Sequence, residues 1–143
     1  MLVADDNDAT CTLITALLRS DFVVERAGDG NEAIEKLKSR QYAAVLLDLR
    51  MPIADGYAVL DFLTAERPDL LRRVLVVSAA LTSIETRRLR GYPIRGVIAK
   101  PFEVDALQAA VRHCAGEDET PALRGPLLTS GMILLLADLL RRV

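Results

Sequence analysis

The sequence predicts an α/β domain: a doubly wound parallel sheet with helices on both faces. Short β-branched or aliphatic runs alternate with longer stretches of helical period, which is the pattern of βαβ units. Two runs, AAVLLD (43–48) and RVLVVS (73–78), are apolar without alternation, as strands covered on both sides are. Connections are short enough for five strands and five helices within about 115 residues.

A first strand is expected at Leu2–Ala4. Asn7 or Asp8 can cap a helix over 8–19, with Leu13, Ile14, Leu17 and Leu18 as its apolar stripe. A second strand at Phe22–Glu25 leads through Asp29-Gly30-Asn31 into a helix over 31–40. There Ala33, Ile34 and Leu37 face inward, and Ser39-Arg40-Gln41 ends the helix. The third strand, Ala43–Leu47, precedes a helix over 56–66. The fourth, Val74–Val77, precedes a helix over 83–90, which Gly91-Tyr92-Pro93 stops: Gly supplies the C′ position and Pro cannot continue the helix. The fifth strand, Val97–Ala99, leads into a helix over 103–114. After His113 the texture changes. GEDETPALRGP (116–126) is polar, with two prolines and two glycines, and reads as a linker. Over 127–143 an amphipathic helix is expected, with Leu128, Met132, Leu135, Leu136, Leu139, Leu140 and Val143 on one side and Ser130, Asp138, Arg141 and Arg142 on the other. The expected organisation is therefore a domain over 1–115, a linker over 116–126 and an extra C-terminal helix over 127–143.

Composition narrows the function. Of 143 residues, 51% are hydrophobic, 4% aromatic and 27% charged, and 18 basic side chains face 20 acidic ones. A net charge of −2 argues against direct nucleic-acid binding, which favours a basic excess. One histidine and two cysteines exclude a zinc finger or a disulfide scaffold. No apolar run approaches the roughly 20 residues of a membrane span. MLVADDND is not a secretory signal, so a reducing, cytoplasmic setting is expected.

In parallel α/β sheets chemistry collects at the carboxyl ends of the strands. Those ends carry Asp5 and Asp6 after strand one, Asp48 after strand three, Ser78 after strand four and Lys100 after strand five. If strands one, three, four and five are neighbours, these side chains meet in one crevice. Three carboxylates repel one another unless a cation joins them, and hard oxygen ligands with room for water and phosphate favour Mg²⁺. A lysine and a hydroxyl opposite could hold phosphoryl oxygens, and an Asp carboxylate can accept a phosphoryl group. The predicted chemistry is phosphoryl transfer to a carboxylate.

The constellation resembles the receiver domain of two-component response regulators. The matching pieces are the acidic pair in LVADDN, the segment AAVLLDLRMPIADG, the serine in VLVVSA, and AKPF; together they cover residues 1 to about 115. The resemblance implies a flavodoxin-like, chemotaxis-receiver-like five-stranded sheet of order 2-1-3-4-5, an order for which the same fold is a standing example. It implies that Asp48 is the phosphate acceptor. Asp5, Asp6 and Asp48, with the backbone carbonyl of Arg50, would hold Mg²⁺; Ser78 would bond the phosphoryl group and Lys100 would pair with it. No organic cofactor is implied, and the Lys100–Pro101 bond would be cis. The phosphoryl donor would be a sensor histidine kinase or a histidine phosphotransfer protein. The chain would then be a stand-alone switch rather than an enzyme with turnover, limited to its own phosphorylation and slow autodephosphorylation. By its own pattern the C-terminal helix has three readings: folding back on its domain, pairing with its copy, or docking on a membrane or another protein. Homodimers would form through that helix or through the helix 4/helix 5 face, where Arg87, Arg88 and Arg90 would meet Glu103 and Asp105.

Three departures from the family pattern bear on the switch. The aromatic residue expected three positions before the lysine is Val97, and Tyr92 is the nearest ring that could substitute. Arg50 and Ala80, two residues after the acceptor and the hydroxyl, occupy positions that shape water access to the acyl phosphate. Strand one looks two or three residues short, as a trimmed or misassigned start would leave it. Val97 and the C-terminal helix motivate an alternative: a constitutive dimeric interaction module whose output does not depend on phosphorylation.

Other readings are weaker. Gly28-Asp29-Gly30-Asn31-Glu32-Ala33 matches a dinucleotide fingerprint, but Asp29 and Glu32 put negative charge where a pyrophosphate must sit. A phosphatase of the haloacid-dehalogenase type would need an Asp at Arg50, and no P-loop is present. His113 suits a surface position at a helix end, and Cys11 and Cys114 suit reduced packing positions on one sheet face.

Overall fold

The structure, a computed structural model, describes residues 1–116. The expected helix over 127–143, and all of the expected linker except Gly116, lie outside the described residues. The elements run β1 (Leu2–Ala4), α1 (Asp8–Leu18), β2 (Glu25–Ala27), α2 (Gly30–Ser39), β3 (Val45–Leu47), α3 (Gly56–Glu66), a 3₁₀ helix (Pro68–Arg73), β4 (Val74–Ala79), α4 (Ser83–Leu89), β5 (Gly96–Lys100) and α5 (Val104–Ala115). The strands form one all-parallel sheet of order β2-β1-β3-β4-β5, as expected.

Side chains alternate along a strand, and here both faces are covered. Leu2, Ala4, Val45, Leu47, Val74 and Val76 pack with Ala33, Leu37, Leu60, Leu63 and Leu89 of α2, α3 and α4. Met1, Val3, Leu46, Leu75, Val77 and Ile98 pack with Cys11, Ile14, Leu18, Leu107, Val111 and Cys114 of α1 and α5. This two-sided burial explains the unbroken apolar runs at strands three and four. Both cysteines are reduced thiols, in no disulfide, buried on the α1/α5 face.

Polar caps set the helix starts. Asn7 accepts from the Thr10 amide at 2.9 Å, Asp29 from Glu32 at 2.8 Å and Asp55 from Ala58 at 2.9 Å. Thr82 and Glu85 form a reciprocal capping box at the start of α4.

Two expectations need correction. Strand two lies at Glu25–Ala27 rather than Phe22–Glu25: its register pairs Glu25 with Leu2, and before it the Val23 carbonyl accepts from the Met1 amino group at 2.7 Å. Phe22 and Val24 instead pack as part-buried side chains against the α1/α5 core. In α1 the stripe is Cys11, Ile14 and Leu18, while Leu13 is 48% exposed. Gly91 takes the C′ position after the C-cap Arg90, as expected, though without a positive φ; its amide bonds the Arg88 carbonyl at 3.1 Å. The 3₁₀ helix was not foreseen; Pro68 opens it, and Leu70 and Leu71 anchor it in the core.

Candidate functional site

Parallel register brings the site together. The Asp5 amide bonds the Ala27 carbonyl at 3.0 Å and the Asp48 amide bonds the Ala4 carbonyl at 2.9 Å, so both residues leave the sheet at the same edge. Ser78 pairs with Ala99 and Ala79 with Lys100, which sets the hydroxyl and the ammonium at that edge too. The crevice thus contains Asp5, Asp6, Asp48, Ser78 and Lys100, each at a strand end named from the sequence.

The contacts are specific. The Lys100 ammonium donates to Asp5 Oδ2 at 2.7 Å and to Asp48 Oδ2 at 3.2 Å. Ser78, fully buried, donates from Oγ to Asp48 Oδ1 at 3.2 Å. The Arg50 amide donates to the same Oδ1 at 3.2 Å, and the Asn7 amide to Asp5 Oδ1 at 2.9 Å. Asp5 is 4% exposed and Asp48 7%, while Asp6 faces solvent. Burial of Lys100 works against its charge, but the Asp5 hydrogen bond and the two carboxylates outweigh it, so its pKa lies above the ordinary lysine value. The Lys100–Pro101 peptide is cis.

One ligand oxygen from each of Asp5, Asp6 and Asp48 lies within 4.8 Å of the others. Three carboxylates against one ammonium leave the cluster negative, and an all-oxygen donor set of this kind fits a hard divalent cation such as Mg²⁺.

The loop after β3 positions the acceptor edge. Gly56 packs so closely that a Cβ there would lie 2.5 Å from the Asp48 carbonyl oxygen and 2.7 Å from Leu49 Cα. Its amide bonds the Leu49 carbonyl at 3.0 Å. Across the loop, the Ala54 amide bonds the Pro52 carbonyl at 2.8 Å, closing a γ-turn on Ile53. Ile53 has φ 68°, a region costly for a β-branched residue, and its side chain is 79% exposed. Ile53→Gly is therefore expected to raise stability by about 1 kcal/mol, less any entropy Gly adds to the unfolded chain. Urea denaturation measures this, and a fall in stability contradicts it.

The Gly28–Ala33 motif does not form a phosphate cradle. A Cβ at Gly30 would lie 2.2 Å from the Ala54 carbonyl oxygen, so Gly30 serves close packing of two loops. Asp29 and Glu32 occupy the nearby amides themselves, Glu32 accepting from Gly28 at 2.9 Å.

Three features near the site were not foreseen. The Arg50 guanidinium donates to the Ala80 carbonyl at 3.4 Å and lies 3.6 Å from Glu85 Oε1. The Thr82 backbone hydrogen bond holds the Glu85 carboxyl below the usual carboxylate range, with Arg50 adding to the effect. Tyr57 is buried beneath the Arg88 guanidinium, 3.7 Å from its ring centroid, and its hydroxyl has no hydrogen-bond partner among the described residues. Thr82-x-x-Glu85 was a readable capping signature; nothing local joins positions 57 and 88.

The fold and the acidic edge define a class: a doubly wound α/β domain with a carboxylate cluster beside a hydroxyl and a lysine. The sequence matches the family described as the response regulator receiver domain over residues 1–112, and the chain belongs to that family. It is 34% identical over 131 residues to the transcriptional regulatory protein ZraR of Escherichia coli (strain K12), a match covering 86% of this chain and 29% of that one. It is 30% identical over 109 residues to the signal transduction histidine-protein kinase BarA of the same strain, covering 75% of this chain and 12% of that protein. The chain thus spans less than a third of these relatives. Among solved structures, the receiver domain of Francisella response regulator 1452 superposes with TM-score 0.72 at 23% identity, covering 82% of this chain and 97% of that one. The receiver domain of the sensor histidine kinase PA1611 from Pseudomonas aeruginosa PAO1, with magnesium coordinated in its active site cleft, superposes with TM-score 0.64 at 28% identity. It covers 80% of this chain and 95% of that one.

Receiver domains are signalling modules of two-component systems. Among the described residues, no helix is long and apolar enough to cross a membrane.

Proposed function

We propose that the chain is a phosphoryl-accepting switch of the cytoplasm, modified on Asp48 by a sensor histidine kinase or a histidine phosphotransfer protein and signalling through protein contacts. The observation that carries this reading is the placement of Asp48 between a buried hydroxyl on Oδ1 and an ammonium on Oδ2, beside two further carboxylates.

In the proposed transfer an Asp48 carboxylate oxygen attacks the phosphorus of a phosphohistidine. The O–P bond forms and the N–P bond breaks; the electron pair stays on the imidazole nitrogen, which takes a proton from water. Ser78 and Lys100 already touch the two acceptor oxygens, so each can turn a hydrogen bond onto a phosphoryl oxygen without a large movement. Asp5, Asp6, Asp48 and the Arg50 carbonyl would hold Mg²⁺, which when bound supplies positive charge against the transferring oxygens. A domain over 1–115 with a separate C-terminal helix, and homodimers through that helix or the α4/α5 face, belong to the same reading.

Mg²⁺ is expected to stabilise the wild type by about 2.7 kcal/mol at a hundredfold excess over its dissociation constant. Asp6→Asn, at an exposed position, should fold normally and lose most of that gain. Calorimetry with and without EDTA measures both; an equal Mg²⁺ response in the two proteins removes Asp6 from the ligand set. Acetyl phosphate should modify the wild type with Mg²⁺ present and leave it unmodified in EDTA. Modification that ignores EDTA, or none under either condition, overturns the reading.

A second reading is favoured by one observation: Val97, buried where the family expects a ring, cannot swing between exposed and buried rotamers. On that reading the chain is a constitutive dimeric module. Sedimentation velocity with and without beryllofluoride separates the two, since any clear change defeats the static module.

A further inference from the structure

Polar side chains tie α4 and the loop after it to the acceptor loop and to α3. Helix α4 has only seven residues, and only Thr86 and Leu89 among them are buried. A helix so shallowly packed depends on its polar contacts. Three of these join it, or the loop that follows it, to the acceptor loop and α3. Arg50 lies 3.6 Å from Glu85, Arg88 stacks 3.7 Å from the centroid of Tyr57, and the Tyr92 hydroxyl donates to Asp61. Arg50 is the only one of these residues that also touches the acceptor, through its backbone amide on Asp48 Oδ1.

Glu85 has two jobs. One carboxylate oxygen, Oε2, accepts from the Thr82 amide at 2.8 Å and closes the capping box of α4. The other, Oε1, faces Arg50. The same guanidinium also donates to the Ala80 carbonyl at 3.4 Å, just past the end of β4 and two residues beyond Ser78. Arg50 therefore holds together the β4–α4 loop and the first turn of α4 from the acceptor side.

We propose that Arg50 is the positioning residue that couples the state of Asp48 to helix α4, exchanging Glu85 and the Ala80 carbonyl for phosphoryl oxygens. The proposal rests on Asp48 being the acceptor. A phosphoryl group there adds anionic oxygens to the residue two positions before Arg50, and a planar guanidinium prefers such oxygens to a single carboxylate oxygen at 3.6 Å. When Arg50 turns to them, Glu85 loses its partner and the β4–α4 loop loses its tie to β3. The start of α4 loosens, and no ring at position 97 has to move.

The test is hydrogen–deuterium exchange over residues 80–89, with and without beryllofluoride and Mg²⁺, in the wild type, Arg50→Ala, Arg50→Lys and Glu85→Gln. Arg50 and Glu85 form a partly exposed pair, so the expected changes are modest. In the wild type beryllofluoride should speed exchange at the start of α4 about two- to fivefold. Arg50→Ala should show that faster exchange already without beryllofluoride, and no further change on binding it. Arg50→Lys, which keeps the charge but not the fork, should respond partially. Glu85→Gln should bind beryllofluoride about two- to fivefold more tightly, because Arg50 is no longer held back. A thermal shift on each protein confirms whether beryllofluoride has bound. Binding with the same α4 response in wild type and Arg50→Ala, or with no α4 response in the wild type, overturns the coupling alone. Failure of the wild type to bind overturns the acceptor reading and the coupling with it.

Discussion

Asp48→Ala is expected to abolish every response to beryllofluoride while leaving the fold intact. The substitution removes both oxygens that Ser78 and Lys100 engage, and with them the atom to which a phosphoryl mimic would attach. Lys100 keeps its shorter bond to Asp5 at 2.7 Å, so no buried ammonium is stranded. Loss of one of three clustered carboxylates also relieves repulsion, which offsets part of the cost of the bonds lost from Ser78, Lys100 and the Arg50 amide. A thermal-shift titration with beryllofluoride and Mg²⁺ should move the wild-type midpoint upward and leave the variant flat. A shift that persists in Asp48→Ala places the mimic elsewhere.

At the acceptor edge a large effect on stability is expected from one methyl group. Gly56→Ala would set a Cβ 2.5 Å from the Asp48 carbonyl oxygen and 2.7 Å from Leu49 Cα. Both obstacles are backbone, which cannot turn aside as a side-chain tip can. The loop must shift instead, at a cost of about 3 kcal/mol, a large share of the roughly 5–15 kcal/mol that keeps a domain folded. Gly28→Ala is the control, because its Cβ would meet only the flexible Glu32 carboxylate at 3.7 Å. Urea denaturation of the two variants should therefore differ sharply. Equal stabilities would mean that the loop after β3 yields easily and that Gly56 does not fix the acceptor edge.

Much of the fold and of the crevice was legible because both follow from strand ends. An apolar run stops where the chain leaves the sheet, so Asp5, Asp48 and Ser78 were placed by the same signal that located β1, β3 and β4. The edge strand was read less well. Phe22 and Val24 have strand-forming side chains, but they pack part-buried against the α1/α5 core, and the ladder with β1 begins at Glu25. Leu13 misled in a different way: its spacing is helical, yet Cys11 takes the buried place beside Ile14 and Leu18. The Arg50–Glu85 pair and the Tyr57–Arg88 stack were invisible because each joins residues about 30 positions apart on different elements. Only the tertiary fold brings them into contact. The Thr82–Glu85 box was legible from spacing alone and marks the start of α4.

The switch proposed for this domain turns on a phosphoryl group carried by Asp48. Its most direct test is to treat the wild-type chain with acetyl phosphate and Mg²⁺, then map the modified peptide by mass spectrometry. One phosphoryl group on Asp48, labile as an acyl phosphate is, agrees with the account. No adduct, or an adduct on another residue, contradicts it.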